Sequence, residues 1–334
     1  MARPLRIEFP GATFHVMARG NQGQKICLDD HDREMWLATL VQAWKRTGWL
    51  LHAWALMGNH YHLLLETPEP NLVAGMKWLQ GTYTQRYNAR HRKRGHLFQG
   101  RYRAVPVEAE AGIYLQTVST YIHLNPARAK LIRIGEQKLW EYRWSSYPSY
   151  VKEAAPSWLR TERVLGSLGL PPEACAAYEA YMESRVLELG IKERRKELEA
   201  QWGSLRRGWY VGGAGFRKNL LDRVDQGAGA NQQRRSSQAD GQPHNQSRAE
   251  QMLEVGLGAL GLRGADLSML PKGQAEKLVL AWWLYGQTTV NRRWVAQRLY
   301  MGYETRVSQA ASLVESSHQG PLKEMKEKLN RCDI

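Results

Sequence analysis

The chain has 334 residues, 43% of them hydrophobic, with Lys+Arg 47 against Asp+Glu 32 and a formal net charge of +15. A load of 13 Trp and 15 Tyr excludes a largely disordered chain, and no apolar run approaches the ~18 residues that would cross a bilayer. The cationic surplus favours a polyanionic partner, most often nucleic acid. Cys27, Cys175 and Cys332 are scattered and form no CxxC pair, which argues against a disulfide framework and against a zinc knuckle. "MARPLRIEFPGATF" lacks the apolar core of a signal peptide, so a cytoplasmic location is expected.

In chain order, "ATFHVMARG" (Ala12 to Gly20) alternates like a strand. "DDHDREMWLATLVQAWKRTG" has acidic residues at its start and a closing Gly48, both end signals of a helix. "WLLHAWALM" and "HYHLLLE" are short apolar runs separated by Gly58-Asn59, a hairpin signal. "NLVAGMKWLQGTYTQRYNARHR" reads as a helix, "HLFQGRYRAVPVE" as a strand broken by Pro106, and "EAGIYLQTVSTYIHLN" as a helix stopped at Pro126. The order β-α-β-β-α-β-α predicts an α+β domain over 1–150, an antiparallel sheet with helices packed on one face. Residues 151–224 read as a helical extension, and "KERRKELEAQ" within it as a solvated helix face. Residues 225–251 are rich in Gly, Gln, Ser and Asn and almost free of large apolar residues, which predicts a flexible linker. Residues 252–334 read as an all-α region. In it Thr289 would cap a helix, Gly302 make a turn and Thr305 begin a second helix, a helix-turn-helix offering Arg306, Ser308, Gln309 and Ser312 to a duplex groove.

In a strand His60 and His62 project to one face, ~6–7 Å apart, close enough to share a divalent cation. The same pattern fits core histidines satisfied by backbone carbonyls. Tyr121 and Asn125 are helical neighbours in "STYIHLNP", so the Asn125 amide oxygen could complete a three-ligand site for Mg²⁺, Mn²⁺ or Zn²⁺. Equally, Asn125 could cap a turn begun by Pro126, and Tyr121 could be one more core aromatic. "RYNARHRKRGHLFQGRYR" (Arg86 to Arg103) carries Arg86, Arg90, Arg92, Lys93, Arg94, Arg101 and Arg103 without an acid, interleaved with Tyr87, Phe98 and Tyr102. Such a stretch suits a single strand, its charges following phosphates and its rings stacking on bases.

"GNHYHLLLE" resembles the HUH motif (His, hydrophobic, His) of single-tyrosine transposases, and "YIHLNPARAKL" the segment that holds their nucleophile. With "GHLFQGRYRAVPVE", these motifs resemble the REP-associated tyrosine transposases over roughly residues 1–150. The resemblance implies a ferredoxin- or RRM-like HUH domain in which His60 and His62 hold Mg²⁺ or Mn²⁺. Tyr121 would attack a phosphate to give a 5′-phosphotyrosine and a free 3′-OH. Asn125 falls where relatives carry a metal-binding glutamine, and Arg3 and Arg6 where the family reads the tetranucleotide beside a hairpin. The implied partner is single-stranded DNA bearing REP- or BIME-like hairpins, and the implied state a nucleoid-associated monomer. Residues 252–334 resemble the C-terminal domain of the replication initiator DnaA. A catalytically silent DNA-binding regulator is the competing reading.

Overall fold

The computed structural model describes residues 7–152, 155–234 and 243–332. Strand β1 (Ala12–Arg19) leads into helix α1 (Asp30–Thr47), where both end signals hold. The Asp29 carboxylate accepts from the Asp32 backbone N–H at 2.9 Å, and Gly48 closes the helix at φ +67°, a left-handed conformation that side chains resist. Strands β2 (Leu50–Leu56) and β3 (His60–Thr67) turn at Gly58-Asn59, with the Met57 N–H donating to the His60 carbonyl at 2.8 Å. Helix α2 (Leu72–Arg90), strand β4 (Arg103–Val107) and helix α3 (Gly112–Arg128) follow. The sheet order is β2-β3-β1-β4, antiparallel throughout, so Pro106 sits on an edge strand where its missing N–H is tolerated.

Helices cover both faces of this sheet, not one. On β3, Tyr61 faces Trp36 of α1 (ring centroids 5.1 Å apart), while its neighbour His62 faces Tyr121 of α3 (5.5 Å). Successive strand residues point to opposite faces, and both faces of β3 are buried. The helix expected to stop at Pro126 instead continues to Arg128. Proline removes one backbone donor there, and the burial of residues 121 to 127 holds the last turn in place despite that loss.

Beyond α3 come α4 (Pro148–Val151), α5 (Glu162–Ser167), α6 (Cys175–Gly190), α7 (Lys192–Gln201), α8 (Gly203–Arg207) and α9 (Ala214–Arg234). The extension does not fold apart from the sheet, because Tyr178, Met182 and Trp202 belong to the same core as Val118 and Ile122. Two compact units divide the chain near Gln232. Of the linker expected at 225–251, residues 235–242 lie outside the described residues; on either side of them α9 reaches Arg234 and α10 (Pro243–Leu260) begins at Pro243. Each extra helical residue adds one backbone hydrogen bond once a helix is nucleated, and the buried Leu220 and Leu253 anchor the two helices from outside that segment.

The second unit packs α10 with α11 (Asp266–Met269), α12 (Ala275–Gln287), α13 (Arg292–Arg298), α14 (Thr305–Ser316) and α15 (Pro321–Asn330) around Leu253, Leu280, Leu284, Val295 and Val307. The cap of α13 is Asn291, not Thr289: its side chain accepts from the Trp294 N–H at 2.8 Å. Gly302 makes the turn before α14 at φ +85°. Helices α10 and α12 approach closely at Gly256, where a Cβ would lie 2.8 Å from the Trp283 ring and 2.9 Å from Leu280. Gly256→Val should therefore cost this unit about 2 kcal/mol by overpacking, read as a lower midpoint of its thermal transition. No helix among the described residues is long and apolar enough to cross a membrane.

Candidate active site

Helix α3 lies across β2 and β3 and brings Tyr121 over the face that carries His60 and His62. His62 occupies an inner strand, opposite Met17 of β1 and Ala55 of β2. The His60 and His62 rings stand edge to face at 5.1 Å, and the His62 and Tyr121 rings do the same at 5.5 Å. Three groups separated by up to 61 positions in sequence thus form one cluster.

Each histidine is held through Nδ1. That of His60 bonds the Asn59 side-chain oxygen at 2.7 Å, and that of His62 meets Nε2 of His15 at 3.0 Å. Among the described residues, neither Nε2 has a hydrogen-bond partner. Burial first, then the Arg19 and Arg128 charges, lowers the His60 pKa to about 4. Burial again leads at His62, reinforced by His15, His60 and Arg128, and holds it well below the usual imidazole range. Both rings are therefore neutral at pH 7 with a lone pair to offer, as a metal ligand must be. A ligating imidazole commonly donates its other ring nitrogen to a fixed acceptor, and the Asn59 contact supplies one.

Asn125 is placed differently from what its proposed role requires. Its amide nitrogen donates to the Tyr121 carbonyl at 2.9 Å, and its amide oxygen accepts from Arg128 Nη1 at 3.3 Å. The chemistry of the two imidazoles, neutral and each with an unpartnered Nε2, suits a divalent cation, whereas the Asn125 oxygen is held by Arg128. Among the described residues, no group of three His, Cys, Asp or Glu side chains is arranged to hold a metal ion.

Four participants escaped the sequence reading. His15, fully buried on β1, shares a face with His62, and its pKa falls to about 3 through burial and the nearby Arg103. Its place in "ATFHVMARG" carries the right strand parity, but only the sheet register shows what it meets. Arg128 lies over the Tyr121 ring at 4.7 Å and over Trp202 at 5.0 Å, and Glu199 holds its guanidinium at 2.8 Å. Trp202 completes the enclosure, 5.4 Å from Tyr121, which is only 4% exposed.

The basic stretch divides into two sets. Arg90 is taken by Asp29 and Asp32 (2.7 and 2.5 Å), Arg86 by Thr39 and Gln42, and Arg103 by the backbone carbonyls of Arg206 and Gly208. Arg92, Lys93, Arg94 and Arg101 are exposed. Tyr87, Phe98 and Tyr102 are buried and so pack the core where stacking on bases was expected. Arg3 and Arg6 lie outside the described residues. In the second unit, Arg306 and Gln309 are exposed on α14, whose other face buries Val307, Ala310 and Val314; Ser308 accepts from Arg292 at 2.9 Å.

The segment "RRGWYVGGAGFRKNLL" (Arg206 to Leu221) docks against edge strand β4. The Val211 N–H donates to the Pro106 carbonyl and the Glu108 N–H to the Val211 carbonyl, both at 2.8 Å. Gly212 permits that approach, since a Cβ there would lie 2.5 Å from Phe216 and 2.9 Å from Glu108.

Residues 9–125 match the family described as IS200-like transposase. The solved structure of a REP-associated tyrosine transposase bound to a REP hairpin aligns at a TM-score of 0.39 and 14% identity, covering 47% of this chain and 89% of that one. No curated protein matches the chain.

Proposed function

We propose that the protein is a metal-dependent endonuclease and strand transferase for single-stranded DNA, a reading supported by the match of residues 9–125 to the family described as IS200-like transposase. The observation that carries the reading is the convergence of Tyr121, His60 and His62 on one face of the sheet. Tyr121 Oη gives up its proton and attacks a DNA phosphate in line, the P–O bond to the 3′ oxygen breaks, that oxygen takes up a proton to leave as the 3′-OH, and the strand remains attached as a 5′-phosphotyrosine. That linkage keeps the phosphodiester energy, so an incoming 3′-OH can reverse the step on another strand. His60 and His62 would hold the divalent ion, Mg²⁺ or Mn²⁺, which would withdraw charge from the non-bridging oxygens. Arg128 places a cation beside the tyrosine, where negative charge develops. Asn125 would serve as the third ligand under this reading, with its amide oxygen, now bonded by Arg128, turned to the ion.

The family motifs support hairpin-bearing sites of the REP-associated kind as substrate, with Arg3 and Arg6 reading bases beside the hairpin. Residues 252–334 are proposed as a helix-turn-helix domain that touches duplex DNA through Arg306 and Gln309 of α14, in a protein that acts as a monomer. The test is a denaturing gel of the full-length protein with hairpin-containing single-stranded DNA, with and without Mn²⁺. A covalent adduct that appears only with metal is the expected result.

One observation favours the second reading, a DNA-binding regulator without turnover: Tyr121 lies enclosed by Trp202 and Arg128. Tight binding with no adduct would select it. Both readings share an electrostatic expectation. Replacing Arg92, Arg94 and Arg101 together by alanine should flatten the log–log salt dependence of single-strand binding by about 2, at ~0.7 for each phosphate no longer neutralised. An unchanged slope would remove this stretch as the phosphate track.

A further inference from the structure

Behind Tyr121 the first unit contains a cavity of about 580 Å³, within the size range of small-molecule sites. Helix α3 supplies one wall through Gln116, Thr117 and Thr120, the residue before the tyrosine. Tyr181 and Arg185 of α6 and Trp202 form others, and Trp209 with Tyr210 stands at the remaining side. Most of this lining comes from beyond residue 125, outside the family match, so the cavity is a feature of this chain's extension.

Its chemistry is specific. Trp209 and Tyr210 are in ring contact at 4.8 Å, and Trp209 is 43% exposed whereas Trp36, Trp49 and Trp202 are buried. Flat aromatic faces at an open cavity suit a planar ring, and stacking on them is tolerant of base identity. The polar groups suit the edge of such a ring. Gln116 donates to the Tyr181 hydroxyl at 3.2 Å and Thr120 bonds the same hydroxyl at 3.1 Å, a network that orients the Gln116 amide. Gln201 adds a second amide, and amides pair with both donors and acceptors on base edges. Arg185 lies 5.4 Å over the Tyr181 ring, the lining's one cation.

Position decides which base. Trp202 is shared, lining the cavity and touching the Tyr121 ring at 5.4 Å. We propose that the cavity takes one unpaired nucleobase of the strand whose phosphate Tyr121 attacks, extruded from the stack and held between Trp209 and the amide of Gln116. This rests on the nuclease reading above for the identity of the strand; the preference for a heteroaromatic base rests on the cavity alone. Seating a base there fixes the strand beside the tyrosine and so positions the phosphate. The docked segment from Arg206 to Leu221 acquires a role, since its attachment to β4 holds Trp209 in place.

The test uses the full-length protein, a chelator to prevent cleavage, and a DNA hairpin with single-stranded flanks carrying 2-aminopurine at one flank position at a time. One position should be quenched several-fold more than its neighbours, and Trp209→Ala and Gln116→Leu should each remove that peak with an unchanged thermal midpoint. Trp209→Ala should also raise the Kd for the strand about tenfold. Uniform quenching, a peak that survives both variants, or no binding of the strand would overturn the inference. Free deoxynucleoside monophosphates, titrated against intrinsic tryptophan fluorescence, separate the sources. Binding of these without a position-specific peak would mean that the cavity serves a free nucleotide, which also overturns the inference. The adduct gel is independent: a peak without an adduct leaves the base site standing and sinks the nuclease, whereas an adduct without a peak does the reverse.

Discussion

Tyr121→Phe is expected to abolish the covalent adduct, at least about a thousandfold down, with DNA affinity unchanged. Removing a nucleophile leaves only the residual assistance of the rest of the site. Phenylalanine keeps the ring that meets His62, His15 and Trp202, so the packing of α3 on the sheet survives. His60→Ala should lower the adduct by a comparable factor, with addition of excess Mn²⁺ giving partial recovery, because one ligand from His62 remains. Asn125→Ala should cost less than either, since its oxygen is already engaged by Arg128. An adduct that survives Tyr121→Phe would mean that another tyrosine is the nucleophile.

The second large effect is on acid stability. His15 and His123 are fully buried, each with its pKa pushed down to about 3 by loss of solvent, and His60 falls to about 4 for the same leading reason. His62 shifts in the same direction. These groups ionise near pH ~6.5 in an unfolded chain. Below that pH the unfolded state binds more protons, so stability falls as pH falls. For each ring the loss grows until its folded pKa is reached, near 4 for His60 and near 3 for His15 and His123. At pH 5 each of His15, His60 and His123 costs about 2 kcal/mol, so the three together take a large part of the stability of an ordinary domain, about 5–15 kcal/mol. The first unit should melt far lower at pH 5 than at pH 7.5, measured with a chelator present so that metal binding does not contribute. A flat thermal midpoint across that range would show that these imidazoles are solvated or already charged.

His123 illustrates how such a ring is retained at this cost. Its two nitrogens bond the Tyr178 hydroxyl and the Ser146 hydroxyl, both at 2.8 Å, tying α3 to the extension and to the segment after it. Nothing in "YIHLNP" marks that role, because both partners lie tens of residues away.

The features legible in the chain alone are local ones. The Asp29 and Gly48 signals set the ends of α1, the Gly58-Asn59 pair set the hairpin, and strand parity put His60 and His62 on one face. Each of these follows from backbone geometry over a few residues, which any chain with those residues shares. Spacing alone leaves Tyr121 a core aromatic; the resemblance of "YIHLNPARAKL" to the family's segment singles it out, and the packing of α3 seats it beside His62. Packing settled the rest. It put helices on both faces of β3, sent α3 through Pro126, and paired Arg128 with Glu199 so that Trp202 closes over the tyrosine. It also sorted seven similar cations into three bound internally and four exposed, and turned three aromatic rings into core. A side chain's partner depends on which distant segment packs against it, and that is set by burial across the whole core. Composition shows that Arg90 is charged; only the fold shows that Asp29 and Asp32 are already there to meet it.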